Sequence, residues 1–189
     1  MQNTAGVTIT PDGAAIRWRR RGAGEPILLI SGQAVGSASW DPIVPALGAD
    51  HEVITFDLRG IDGSTTGDAP AWTMEQFAAD ALAVLRDASV TSAHVIAHSM
   101  GGRVAQRLAI AHPEVVATLT LIATTGGDAG GVARDAEASR VLASGGIAEL
   151  VPYFFAPDGD RADMARFLQR EASIAARRGH YTASLGHDA

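Results

Sequence analysis

The sequence predicts an α/β domain: a mostly parallel sheet with flanking helices, followed by a helical tail. Three observations predict it. Short continuous apolar runs such as Pro26-Ile27-Leu28-Leu29-Ile30 suit strands covered on both faces. Segments of helical spacing alternate with these runs, the order that builds a parallel sheet. After Ile122 the composition changes, glycine pairs break up Ala- and Arg-rich stretches, and no strand-like run follows. The expected organisation is a core over residues 1–125 and a helical segment over 126–189.

The elements follow in order. Val7 to Thr10, a turn at Pro11-Asp12-Gly13, and Ala14 to Arg20 read as a β-hairpin. Strands are expected at Pro26–Ile30, His51–Phe56, Ala93–Ala97 and Val116–Ile122. Thr73 and Gln76 have the spacing of a capping box ahead of Phe77, Ala81, Leu82, Val84 and Leu85, which recur at helical intervals. A second helix runs from Met100 to Ala111 and stops before His112-Pro113, because the residue preceding proline disfavours α geometry. In the tail, helices are expected over Asp135–Leu142, Ile147–Phe155 and Arg161–Arg178. Tyr153, Phe154, Phe155, Met164 and Phe167 there read first as helix packing and second as the wall of an apolar acyl or ring pocket.

The chain has 189 residues, a formal charge of −6 and 47% hydrophobic residues, as in a globular domain. It holds no cysteine, which excludes a disulfide framework, a zinc–thiolate site and a thiol nucleophile. All 15 basic residues are arginine, so neither a phosphate-binding P-loop lysine nor a Schiff-base lysine is present. No metal or cofactor is expected. The acidic balance argues against nucleic acid as a partner. The one basic cluster, Arg17-Trp18-Arg19-Arg20-Arg21, reads as a solvated strand end rather than a phosphate patch. The N-terminus shows no signal-peptide pattern, and no apolar stretch approaches the ~20 residues that span a bilayer. A cytoplasmic protein without membrane contact, acting on a small molecule, is the expectation.

The chemistry concentrates in Ala97-His98-Ser99-Met100-Gly101-Gly102, where a buried strand turns directly into a helix. G-x-S-x-G in this setting is the nucleophile-elbow pattern. The turn crowds the residues two before and two after the serine, and Ala97 and Gly101 are both small. It holds Ser99 in a strained conformation and lifts its hydroxyl off the sheet. The helix directs free N–H groups at that hydroxyl, so the Met100 N–H is a natural oxyanion donor. A second donor is the Gln33 N–H, since Gly32 lets the backbone approach a ligand where the strand Pro26–Ile30 ends in Ser31-Gly32-Gln33. The competing reading is that Gly32 only makes a turn and Ser99 only caps a helix. A nucleotide-binding loop is a third reading, but Ser31 to Gly36 does not follow G-x-G-x-x-G.

Three motifs together resemble the α/β-hydrolase fold superfamily, in its group of serine-nucleophile esterases, enol-lactonases and carbon–carbon hydrolases. They are Ser31-Gly32-Gln33 as oxyanion loop, Asp57-Leu58-Arg59-Gly60 with Ser64 after the next strand, and the elbow at Ser99. The resemblance covers about residues 15 to 125, and the tail resembles the start of the inserted lid. It implies a serine hydrolase of a small ester, lactone or related activated carbonyl, working through an acyl-enzyme on Ser99. Members with an aspartate nucleophile, dehalogenases and epoxide hydrolases, are disfavoured by Ser99 itself, while haloperoxidase-like activity uses the same serine site. Asp57 and Arg59 resemble a loop-fixing ion pair.

The chain also departs from the family pattern. Ser31-Gly32 stands where many members have His-Gly, and Ala97 where many have Gly. The family places an acid and then a histidine on later strands, and the chain is expected to end about where the strand before that acid would begin. Of its histidines, His51 and His94 adjoin strands, His98 should point to the other face of the sheet, and His112 lies roughly 20 Å along its helix at 1.5 Å per residue. Only His180 and His187 fit the chain order as a base, with Asp128 as the best-placed acid, and both histidines read first as surface or lid residues. An incomplete site makes a small-molecule binding protein on the same scaffold the alternative function. In the family strand 116–122 has a further parallel neighbour, so this apolar edge is expected either to self-associate or to need a further C-terminal piece.

Overall fold

The computed structural model describes residues 3–68, 72–127, 135–144, 147–159, 172–185 and 187. Six strands form one sheet: β1 (Asn3–Ile9), β2 (Ala15–Gly22), β3 (Glu25–Ile30), β4 (His51–Phe56), β5 (Ala93–His98) and β6 (Val116–Ile122), in the spatial order β1-β2-β4-β3-β5-β6. The β1–β2 hairpin joins antiparallel to β4, and β4, β3, β5 and β6 are parallel. The expected mostly parallel α/β sheet is present.

Both faces of the parallel strands are apolar because side chains alternate along each strand. Leu28 and Ile30 of β3 enter the main core with Val95 and Ala97 of β5, under α2 (Met74–Asp87) and α3 (Met100–Ala111). Ile27 and Leu29 face the other way, into a smaller cluster with Trp40, Val44 and Val53. That face is covered by a 3-10 turn at Ser37–Trp40 and by α1 (Val44–Leu47), two short elements the sequence reading left out. Thr73 caps α2 as expected, its hydroxyl accepting from the Gln76 N–H at 3.2 Å.

The hairpin is fastened to the end of α2: the Asp87 carboxylate accepts from the Thr8 hydroxyl (2.9 Å) and the Trp18 indole N–H (3.0 Å). The arginine run is split by the strand period. Arg20 turns toward α2, pairs with Glu52 at 3.3 Å and stacks over Trp18. Arg19 points to the opposite face and donates to the Ser37 hydroxyl.

Among the described residues β6 lies at the rim and pairs only with β5. Leu119, Leu121 and Ile122 are 36%, 41% and 44% exposed. The described tail is helical: α4 (Ala136–Ser144), α5 (Ile147–Phe154) and α6 (Ile174–Leu185). A small satellite core joins α4 and α5 through Val141 and Leu150, with Phe155 packed against it, while Tyr153 is exposed. Met164, Phe167 and the Phe154 side chain lie outside the description. The expected helix over 161–178 is corrected in its described part: the helix begins at Ile174 and runs through Gly179 to Leu185. No helix among the described residues is long and apolar enough to cross a membrane.

Candidate active site

β5 ends at His98 and α3 begins at Met100, so Ser99 alone makes the turn. Its backbone sits at φ 54°, ψ −127°, a conformation L-residues rarely adopt. Two hydrogen bonds hold it there. The Ser99 N–H donates to the Ile122 carbonyl of β6 (2.9 Å), and the Ser99 carbonyl accepts from the Gly102 N–H (3.0 Å). The Ser99 side chain makes no capping bond to α3, so it does not serve as a helix cap. It is half-buried, neither sealed in the core nor fully in water.

The surrounding residues are small because backbone occupies the space. A Cβ on Gly101 would stand 2.4 Å from the Ser31 carbonyl oxygen and 2.5 Å from that of Ile30. One on Gly102 would meet Thr124 at 2.5 Å. One on Gly32 would lie 2.8 Å from the His98 ring and 3.1 Å from the Ser99 Cβ. Gly32 therefore brings the Ser31-Gly32-Gln33 loop directly against Ser99. Gln33 follows Gly32 in that loop, and Met100 is the first helical residue, whose N–H has no carbonyl within the helix to bond. Ala97 is fully buried under α3.

His98 leaves the sheet on the face away from α3, as its alternation with Ala97 requires. Its ring meets Trp40 edge-on at 5.1 Å, and its Nε2 accepts from the Gly32 N–H at 3.2 Å. The ring proton then sits on Nδ1, and burial holds His98 below its ordinary pKa, which keeps that acceptor available. His98 thus supports the loop from beneath.

His180 comes from α6 and reaches the same loop from above. It is fully buried, with Trp72 and Phe77 edge-on to its ring at 5.5 and 5.0 Å. Its Nδ1 accepts from the Ala34 N–H (3.2 Å) and its Nε2–H donates to the Arg59 carbonyl (2.9 Å). Burial pushes it down to about 4. Both ring nitrogens are thereby engaged with backbone. His187 is buried near Glu75, at the start of α2, and Asp128 lies outside the described residues. His94 meets Glu25 and Thr118 at the surface, and His112 meets Glu114. Among the described residues no hydrogen bond joins Ser99 to a histidine.

One expected pairing is corrected. Asp57 does not pair with Arg59; its carboxylate accepts from the Ser37 N–H at 2.7 Å. Arg59 is fully buried and turns to Asp80 on α2, donating from Nε (2.8 Å) and Nη2 (2.7 Å), with Asp12 and the Thr66 carbonyl on Nη1. Sequence reasoning missed this group. The available signal was Asp80 itself, three residues after Phe77 and four before Val84, a carboxylate on the buried stripe of its helix. Buried charge requires a partner, and only arginine is on hand in this chain.

Cavities of about 270 and 370 Å³ lie along the β1–β2 hairpin, bordered by Arg17, Arg19 and Arg21. Their linings include neither Ser99 nor the loop against it, so they are separate from the elbow. Among the described residues no group of three or more His, Asp or Glu could hold a metal ion.

The family profile described as alpha/beta hydrolase fold matches residues 25–170. A protein assigned as the carbamate hydrolase RutD of Azorhizobium caulinodans is 38% identical over 109 residues, 58% of this chain and 41% of that protein. One assigned as the non-heme bromoperoxidase BpoC of Mycobacterium tuberculosis is 37% identical over 107 residues, 56% of this chain and 40% of that protein. The matched part thus spans about two-fifths of the length of these curated relatives. Among solved structures, the enol-lactonase of Burkholderia xenovorans superposes with a TM-score of 0.82 at 21% identity, covering 97% of this chain and 74% of that one, a likeness of fold. With the profile matched over most of its length and the strand–turn–helix geometry of Ser99 in place, the chain belongs to the alpha/beta hydrolase fold family.

Proposed function

We propose that the protein is a serine hydrolase of small carboxylic esters, lactones or related activated carbonyls, with Ser99 as nucleophile. The observation that carries this reading is the Ser99 backbone. A strained, uncapped serine persists only where its surroundings force it, and here those surroundings are a glycine loop and a helix N-terminus. The Ser99 oxygen attacks the carbonyl carbon while its proton passes to a base. The resulting oxyanion accepts from the N–H groups of Gln33 and Met100, each such donor contributing about 3–4 kcal/mol of transition-state stabilisation. Collapse expels the alcohol with the base's proton, leaving an acyl-serine. Water, deprotonated by the same base, then releases the acid. The family's chain order places that base after Ser99, and His180, held at both nitrogens, is set aside for it. Lactonase and carbamate hydrolase, the names carried by two similar proteins, both denote attack on an acyl carbon.

A fluorophosphonate should label the wild-type protein at Ser99. Ser99→Ala should lose the label and roughly 10⁴-fold or more of any ester turnover. Equal labelling of the mutant ends the assignment.

A second reading is favoured by the lack of a histidine bonded to Ser99 among the described residues: a small-molecule binding protein that keeps the scaffold without turnover. Thermal stabilisation by an ester, with no hydrolysis and no label, would select it.

The rim strand supplies a partner. β6 carries no charge and no proline, and among the described residues no strand pairs with its outer edge, which supports a second copy of the chain as the partner proposed here. Sedimentation equilibrium should show mass rising with concentration, and Leu121→Lys should return the monomer. A wild-type monomer up to millimolar concentration would refute this.

A further inference from the structure

We propose that His180 is a positioning residue for the oxyanion site, fixing the Gln33 amide through its neighbour Ala34. The inference rests on the serine-hydrolase reading and deepens it. Ala34 has φ 54°, a left-handed conformation costly for a residue with a Cβ. Its N–H is directed by one acceptor, the Nδ1 of His180. That ring cannot shift, because its other nitrogen is bonded to the Arg59 carbonyl and two aromatic rings wall it in. Gln33 lies between Gly32, tied to His98 Nε2, and Ala34, tied to His180 Nδ1. The proposed donor is thus bracketed by two histidine acceptors. One is adjacent to the nucleophile. The other is 146 residues downstream of Ala34, on α6. The loop reaches its working geometry only when α6 is seated.

Two substitutions separate the ring's two bonds. In His180→Asn the amide oxygen takes the place of Nδ1 and keeps the Ala34 tie. In His180→Gln the amide nitrogen takes the place of Nε2 and keeps only the Arg59 tie. Amide hydrogen exchange should show Ala34 protected in wild type and His180→Asn and exposed in His180→Gln. In the full-length enzyme, His180→Gln should lower kcat about 100-fold with KM little changed, the effect of a misplaced reacting group, while His180→Asn stays near wild type. Both should unfold at similar urea concentrations, so a purely structural role would move them together. Equal Ala34 protection in the two variants, or equal kcat, overturns the proposal. The Ala34 exchange is read without turnover: if it behaves as expected while Ser99 resists the fluorophosphonate, the hydrolase reading fails and the tie to Ala34 stands.

Discussion

Arg59→Met should destabilise the protein by about 3–5 kcal/mol, a large part of the 5–15 kcal/mol that holds a typical domain folded. The reason is Asp80 rather than Arg59. The Asp80 side chain is 1% exposed, and its two oxygens accept from the Arg59 Nε and Nη2. Removing the guanidinium strands a carboxylate inside the core, beside Phe77, Ala81 and Val84 of its own helix. Two comparisons isolate that cause in urea denaturation. Asp12→Ala removes the partly exposed partner of the same arginine (22% exposed) and should cost less than Arg59→Met, because it leaves the Asp80 carboxylate paired. Arg59→Met with Asp80→Leu removes both buried charges and should recover most of the loss. An Arg59→Met protein within 1 kcal/mol of wild type would show that water reaches Asp80.

Acid should remove about 3 kcal/mol through His180 alone. Burial lowers this histidine from 6.5 to about 4 in the fold. Above pH 6.5 both folded and unfolded chains carry it neutral, and its contribution is fully present. Between 6.5 and about 4 the unfolded chain binds a proton that the folded chain refuses, so stability declines as pH falls through that window. Below about 4 both states are protonated and the decline ends. Asp12 and Glu75, both held below the usual carboxylate range, add to the loss only from about pH 5 downward, where their unfolded forms begin to bind protons. Urea midpoints measured from pH 7 to 4 should follow this slope in wild type and flatten in His180→Asn. An unchanged slope in that variant would assign the acid sensitivity elsewhere.

The strands and the helix that follows Ser99 were legible because they are dictated locally. β4, β6 and α3 have the residue ranges the apolar runs and the His112-Pro113 stop imply. What escaped depends on contacts distant in sequence. Gly179 reads as a helix breaker, yet it lies inside α6, where a Cβ would stand 2.5 Å from the Trp72 ring. It is small for packing, not for turning. Asp57 and Arg59 are neighbours in the chain and so invite pairing, while the true partner of Arg59 is 21 residues on. His180 offers no local signal, since what it does is set by Ala34, Arg59 and two aromatic rings from other elements.

The Ser99 amide is bonded to the last residue of β6, at the sheet's outermost strand. The proposed nucleophile therefore has its footing on the border of the described sheet instead of at its centre. Whatever docks on that border stiffens the ground beneath the serine, and whatever peels it away loosens the bend before any core residue is disturbed.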